Sequence, residues 1–358
     1  MTKGRRLALF ALLIVAVAAA AAFLFQRPIG LWLFERAAER NVARDRLAGL
    51  PDGLHVALCG TGSPLPSRDR AGACTVVIAG KAMFVVDAGE GGARNISLMG
   101  LPNPRIRGLF LTHFHSDHID GMGPMMLMRW VASGNSRPLP VHGPEGVEAV
   151  IAGFNAAYAA DNGYRTAHHG PAVTPPQAAG AVALPFAVPT GPTIVYRADG
   201  LTVTAFPVDH RPVKPAVGYR FDYKGRSVVL SGDTGPSTML EGVAKGADLL
   251  IHEALQPDMV QTLADDLKAA GRTGTGQIMH DILDYHASPA QAADSARRAG
   301  VKMLVLSHVV PPLPSRYFDA AFLNGAKGHF DGPLIIGEDG QVYSLPAGSS
   351  AIERDNWF

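Results

Sequence analysis

Directly after the apolar run 107–112 the chain reads Thr112-His113-Phe114-His115-Ser116-Asp117-His118. This string constrains the fold more than any other. His113 and His115 stand two apart on extended backbone, so their imidazoles emerge on one side. Asp117 and His118 then open a helix that turns back toward the same cavity. Ligand-type groups packed this closely repel one another or lose solvation if they are buried without a cation. Imidazole and carboxylate donors suit zinc, with manganese or iron as alternatives. The competing reading is a solvated histidine-rich turn.

The same chemistry recurs at other strand ends. His210 follows the run 204–209, Asp233 follows 227–230, and His308 ends 303–307. Singly, each is ambiguous. A lone strand-end histidine more often makes a structural hydrogen bond, and an aspartate before threonine often only caps a turn. Together they close a two-ion set. His113, His115 and His210 would hold the first ion, Asp117, His118 and His308 the second, and Asp233 would bridge them. Two divalent ions about 3.5–4 Å apart need such a shared anion, and a hydroxide between them is a nucleophile at neutral pH.

From Leu54 onward, short β-branched runs alternate with helical patterns. Hairpins are expected about Gly80-Lys81, Asp199-Gly200 and Lys224-Gly225, with a closing hairpin about Asp339-Gly340. Residues 145–160 read as a helix. The stretch 168–192, rich in Pro, Gly and Ala, reads as a long surface loop. Two blocks of hairpins, each ending in strand–helix units, imply two sheets packed face to face with helices outside.

At this point the residues resemble a family. The ordered set GTGSPLPS (60–67), VDAGEG (86–91), LTHFHSDHIDG (111–121), DH with VGYRF (209–221), SGDT (231–234), HEA (252–254), HASPAQAA (286–293) and LSH (306–308) is similar to the metallo-β-lactamase fold superfamily, in its ribonuclease Z and arylsulfatase-like branch. The resemblance runs from Leu54 to Pro346. It implies an α/β fold, a four-layer αββα sandwich with a dinuclear site at one edge of the sheets. It also implies that Glu253 and His286 donate a proton to the leaving group. A carboxylate on one imidazole nitrogen fixes the tautomer and favours the protonated ring. Asp117 is expected to serve as a ligand and as a proton acceptor. Asp120 is a candidate to steady a ligand imidazole. His252 should point to the opposite face from Glu253, while His168, His169 and His280 read as loop or surface residues.

The pattern also departs from the family. Short bacterial ribonuclease Z carries a tRNA-gripping arm between the strands that hold GYR and SGDT. Here a tight Lys224-Gly225 turn stands there instead. Pro-rich residues follow His308, delaying Ser315-Arg316-Tyr317, with Arg316 either meeting an anionic ester or lying on the surface. Residues 257–284 are a candidate lid with a hinge-like 271–276 tract. Met122, Met125, Met126, Met128 and Trp130 read mostly as core.

The N-terminus adds a separate constraint. Leu7 to Phe25 contains no polar side chain, and a helix of that length spans roughly 28 Å, close to the bilayer hydrocarbon thickness. Lys3, Arg5 and Arg6 precede it, which keeps the N-terminus cytoplasmic. The expected organisation is a membrane anchor or signal segment at 1–28, a linker helix at 29–50 and a hydrolase domain at 51–358. The expected placement is the inner membrane, single-pass, with the catalytic domain facing the periplasm; secretion after signal cleavage is the alternative.

Composition bears on partners. Lys+Arg 32 against Asp+Glu 31 gives a net charge of +1 and no general reason to expect nucleic acid. Two cysteines exclude a cysteine-rich zinc module, and an oxidising compartment would allow Cys59 and Cys74 to pair. These points lead to one expectation: a two-metal hydrolase of a small-molecule sulfate or phosphate ester or diester, with tRNA an unlikely partner. A 3′-tRNA endonuclease of ribonuclease Z type is the alternative. Lactone or β-lactam hydrolysis, or a non-catalytic metal-binding membrane protein, stand further back. A homodimer is left open.

Overall fold

The computed structural model describes residues 2–358 apart from 43 and 132; Met1, Ala43 and Ala132 lie outside the described residues. Two compact units divide at 46/47. The first holds the helices Lys3–Leu24 and Gln26–Val42. Helix Lys3–Leu24 is long and apolar enough to cross a membrane, and its side chains are exposed. Helix Gln26–Val42 covers the first part of the 29–50 stretch expected as a linker helix, and Arg46–Gly49 is a separate short helix.

The second unit carries fifteen strands among the described residues. They are β1 (Gly53–Gly60), β2 (Cys74–Ala79), β3 (Ala82–Val86), β4 (Ile106–Phe110), β5 (Leu139–Pro144) and β6 (Ala181–Phe186). Then come β7 (Thr193–Ala198), β8 (Leu201–Pro207), β9 (Val217–Tyr223), β10 (Arg226–Leu230), β11 (Leu249–Leu255) and β12 (Met303–Val310). The last are β13 (Leu334–Ile336), β14 (Gln341–Pro346) and β15 (Glu353–Asn356). One sheet has the order β15-β14-β1-β2-β3-β4-β5-β6, and the other β13-β12-β11-β10-β9-β8-β7.

Strand alternation builds the layers. Leu54, Val56 and Leu58 of β1 face the core between the sheets, while Ala57 and Cys59 face outward. The outward face packs under Ile96, Met122, Met125, Met126 and Ile151 from helices Gly92–Leu98, Met122–Trp130 and Val147–His169. In β12 the same period puts Met303 and Val305 between the sheets. Leu304 and Leu306 go against Leu240, Ala292, Ala296 and Phe322 of the opposite helical layer. Three apolar cores between four layers give the expected αββα sandwich. The methionine stripe is core except Met128, which is 38% exposed.

Three hairpins stand where the sequence puts them, with Ala79 opposite Ala82, Ala198 opposite Leu201, and Tyr223 opposite Arg226. Two expectations differ. The 168–192 stretch contains β6, which pairs in parallel with β5, and the preceding helix runs on to His169. The Asp339-Gly340 segment closes no hairpin. β13 pairs with β12 in one sheet and β14 with β1 in the other, so the segment crosses between sheets. Asp339 is tied down there by Thr61, Ala71 and Asn95, all donating to its carboxylate at 2.7–2.9 Å.

Cys59 and Cys74 form a disulfide that closes the first loop, a separation of 15 residues. Such a loop restricts the unfolded chain by about 3 kcal/mol. Replacing both cysteines by serine is therefore expected to lower the unfolding free energy by about that amount. Guanidinium denaturation of the full chain reads it, and an unchanged midpoint would show that the link adds nothing.

Candidate metal centre

The loop after β4 is fixed before it delivers a ligand. Asp87 follows β3 with a positive φ of 59°, an uncommon conformation for a side-chain-bearing residue. That turn lets its carboxylate accept from Thr112 N and Thr112 Oγ1, each at 2.8 Å. The same carboxylate accepts from His118 Nδ1 at 2.8 Å. Asp87 therefore ties both ends of the histidine string to the sheet. It does what Asp120 was expected to do. Asp120 is exposed and bonds to the Glu90 backbone instead.

The other donors come from the second sheet. β10, β11 and β12 are parallel, and Asp233, Glu253 and His308 gather at their carboxyl ends. His308 has a φ of 49° and falls at a register shift, where Ser307 pairs with Glu253 but Val309 pairs with Ala254. This bulge turns the imidazole into the site. Gly232, before Asp233, has a φ of +60°. A Cβ there would lie 2.7 Å from Val217 O, so only glycine lets this loop approach β9. His210 lies beyond the end of β8.

One carboxylate oxygen is common to the donors. Asp233 Oδ2 lies 3.8 Å from His113 Nε2 and His210 Nε2, and 3.4 Å from His118 Nε2 and His308 Nε2. His113 Nε2 and His210 Nε2 lie 3.0 and 3.4 Å from His115 Nδ1. Asp117 Oδ2 lies 3.1 Å from His308 Nε2 and 3.6 Å from His118 Nε2. Ligand atoms about 3.3 Å apart are what a tetrahedral zinc with bonds near 2.0 Å spaces out. Three sets of ligand atoms converge, His113-His115-His210-Asp233, Asp117-His118-His308 and Asp233-His286-His308. All are buried except His115 and His286, which are partly exposed.

The tautomers show that the donor set fits divalent ions. His118 Nδ1 faces a carboxylate, and His210 Nδ1 faces the Tyr285 carbonyl at 3.2 Å. Neither acceptor has a proton to give, so each Nδ1 must carry one. The Thr112 hydroxyl is committed to Asp87, so it accepts from His113 Nδ1 at 3.0 Å. The three Nε2 atoms then aim lone pairs inward. His118 Nε2 is buried with no hydrogen-bond partner. Facing Asp233 and Asp117, that nitrogen needs a cation beside it or on it; burial opposes charge on His118, yet Asp233 and Asp87 outweigh it and raise the imidazole well above its usual range when no metal is bound. Without metal, burial pushes His113 well below its usual range, with His118 adding to the effect. Burial also opposes charge on His308, yet Asp233 and Asp117 outweigh it and push that imidazole up to about 9.

Glu253 and His286 also meet. Glu253 is buried, and its Oε1 accepts from His286 Nδ1 at 3.0 Å, from Ala287 N at 3.0 Å and from Thr234 N at 3.2 Å. Burial disfavours charge on His286, but Glu253 outweighs it and raises the imidazole. The His286 ring lies 5.2 Å from His210 and 5.6 Å from His308, on the edge of the cluster. His252 points to the helical side, as expected, and its Nδ1 bonds to Glu253 O at 2.7 Å. His168, His169 and His280 are exposed, all three on helices rather than loops.

Tyr285 went unnoticed in the sequence. Its carbonyl orients His210, and its ring packs 4.8 Å from His210 and 4.7 Å from His286. A backbone acceptor leaves no sequence signal. Arg316 is a surface residue, paired with Glu338 at 2.6 Å. The 257–284 segment is a pair of helices, Pro257–Ala269 and Thr273–Asp281, and only Gly271 and Arg272 of the hinge-like tract are left between them.

This fold and this donor set define a metal-dependent hydrolase. The family described as Beta-lactamase superfamily domain matches residues 83–309, and the chain belongs to the metallo-β-lactamase superfamily. It is similar to a protein named Ribonuclease Z of Mycolicibacterium gilvum (strain PYR-GCK), 39% identical over 290 residues, covering 80% of this chain and 94% of that one. A Ribonuclease Z of Mycobacterium avium (strain 104) is 41% identical, covering 80% and 96%. Among solved structures, the metallo-β-lactamase fold protein YhfI of Bacillus subtilis aligns with TM-score 0.58 and 21% identity, covering 81% of this chain and 99% of that one. The short form of human tRNase Z aligns with TM-score 0.56 and 21% identity, covering 82% and 99%.

These relatives overturn two expectations. The small-molecule sulfate or phosphate ester reading gives way, because relatives across nearly their whole length carry the name Ribonuclease Z. The view of tRNA as an unlikely partner falls with it. The tight Lys224-Gly225 turn is present as expected. It bears on one gripping element and leaves the hydrolytic centre untouched, so it did not decide the substrate.

Asp233→Ala removes the oxygen shared by both donor sets. Metal content after loading with zinc and desalting is expected to fall from about two ions per chain to below one. Retention of both ions would contradict the shared-ligand geometry.

Proposed function

We propose that this protein is a two-metal phosphodiesterase of ribonuclease Z type that cuts precursor tRNA at its 3′ side, tethered to a membrane by helix Lys3–Leu24. The observation that carries the reading is the complete donor set around Asp233 in a chain that shares 39–41% identity with proteins named Ribonuclease Z.

His113, His115 and His210 would hold one divalent ion, most simply zinc. Asp117, His118 and His308 would hold the second, and Asp233 would bridge. When bound, such ions supply Lewis acidity, which activates water at neutral pH and offsets charge on the reacting phosphodiester. Asp87, Thr112 and the Tyr285 carbonyl fix the ring tautomers, so the donors are set before substrate arrives. Asp117 would also accept the proton that the attacking water gives up.

Glu253 and His286 supply the proton on the other side. With Nδ1 held by Glu253, His286 offers Nε2–H to the leaving oxygen as the phosphorus–oxygen bond breaks. The two further donors on Glu253, Thr234 N and Ala287 N, keep its carboxylate in place.

Two measurements test the reading. His286→Ala is expected to lower kcat on precursor tRNA by roughly 10²–10⁴, the usual contribution of a general acid. Turnover of bis(p-nitrophenyl) phosphate, whose leaving group needs no proton, should fall much less. Equal losses on both would remove His286 from proton donation, and failure of the wild-type protein to cut precursor tRNA would end the endonuclease reading. Separately, the full chain should stay in the membrane pellet after carbonate extraction, and deletion of residues 1–46 should release it. Release of the full chain by carbonate would exclude the tether.

A further inference from the structure

The cavity bounded by His118, Asp233, Glu253 and His308 measures about 50 Å³. That is room for a few waters, at roughly 10–15 Å³ each, and not for a nucleotide. The nucleotides on either side of a reacting phosphate must lie elsewhere. A larger cavity of about 460 Å³ opens directly against His210, within the roughly 300–1,000 Å³ typical of small-molecule sites. Apolar residues from β8, the following loop and the 187–192 segment line it, among them Val188, Val208, Val213 and Pro215. Arg211, Lys214 and Glu145 supply its charge.

The loop is braced against the metal centre. Val213 N donates to His210 O at 2.8 Å, and Gly235 N donates to Asp209 O at 2.8 Å. Asp209 N donates to Thr234 Oγ1 at 3.2 Å, next to Asp233. Arg211 is spent on Asp209, at 2.6 and 2.8 Å. Among the described residues, Lys214 is exposed and forms no ion pair within 4 Å. One wall is therefore apolar, and the rim carries the exposed Lys214 ammonium, four residues after the metal-ligand candidate His210, with Asp209 the acidic group it acts on at longer range.

We propose that this cavity is a nucleotide subsite, in which the apolar wall takes the face of a base flanking the scissile phosphate and Lys214 takes the neighbouring phosphate. It rests on the RNA-cutting reading above and names where the substrate is gripped. RNA matches both halves of the cavity, a π-face for the apolar wall and an adjacent anion for the ammonium. Glu145 on the same lining works against a second anion there, which limits the subsite to one phosphate.

The test uses Lys214→Gln, Lys214→Arg and Val188→Glu in the zinc-loaded full chain. Fluorescence anisotropy with a short single-stranded RNA reads binding, and precursor tRNA cleavage reads KM. Lys214→Gln is expected to weaken RNA binding by about ten-fold, as one lost phosphate contact would. The slope of log affinity against log salt should shrink by about 0.7. Lys214→Arg should restore both, and Val188→Glu should weaken binding without removing a cation. KM for precursor tRNA should rise with the loss of binding, while bis(p-nitrophenyl) phosphate, which has no neighbouring phosphate, responds far less. Unchanged RNA affinity and salt slope in Lys214→Gln would overturn the subsite. RNA binding that follows these variants in a protein that cuts no precursor tRNA would instead overturn the endonuclease reading and leave the subsite standing.

Discussion

A single carboxylate oxygen, Asp233 Oδ2, stands within 3.4–3.8 Å of four imidazole nitrogens drawn from both sheets. Everything else at this edge of the sandwich serves that convergence. Gly232 lets the Asp233 loop close on Val217, and the bulge at His308 turns an imidazole inward. Asp87 adopts a strained backbone to hold Thr112 and His118 together. Local strain of this sort persists only where the surrounding packing over-determines it. Three apolar cores and four layers provide that packing.

The two sheets divide the labour. The first sheet delivers His113, His115, Asp117 and His118 from one loop and one short helix, so four donors move as a unit. The second delivers His210, Asp233 and His308 from three separate strand ends, with Glu253 alongside. The site therefore exists only when the sheets are stacked in register. Residues Leu54, Val56, Phe84 and Phe110 on one side, with Val203, Tyr219, Phe221 and Val305 on the other, set that stacking. Tyr219 adds a direct tie, its hydroxyl donating to Leu111 O at 2.6 Å across the interface.

Much of this was legible in the sequence. The donors were readable because each chemistry-bearing residue sits just past an apolar run, and strand ends gather where a sandwich opens. The hairpins were readable from their turn residues. What escaped had a physical reason. β6 hides in a Pro- and Ala-rich stretch because its pairing comes from β5, not from its own propensity. The Asp339-Gly340 segment has turn chemistry but joins two different sheets, a choice made by tertiary packing. Asp87 lies inside the VDAGEG motif, yet its role depends on a positive φ that no pattern announces. The substrate was misread because the sequence speaks about the metal centre and hardly at all about the mouth.

The most direct test of the two-ion centre is anomalous diffraction at the zinc edge from crystals of the zinc-loaded protein. Two peaks are expected about 3.5–4 Å apart, flanking the Asp233 carboxylate. One would be ringed by His113, His115 and His210, the other by Asp117, His118 and His308. A single peak, or two peaks that do not share Asp233, would contradict it.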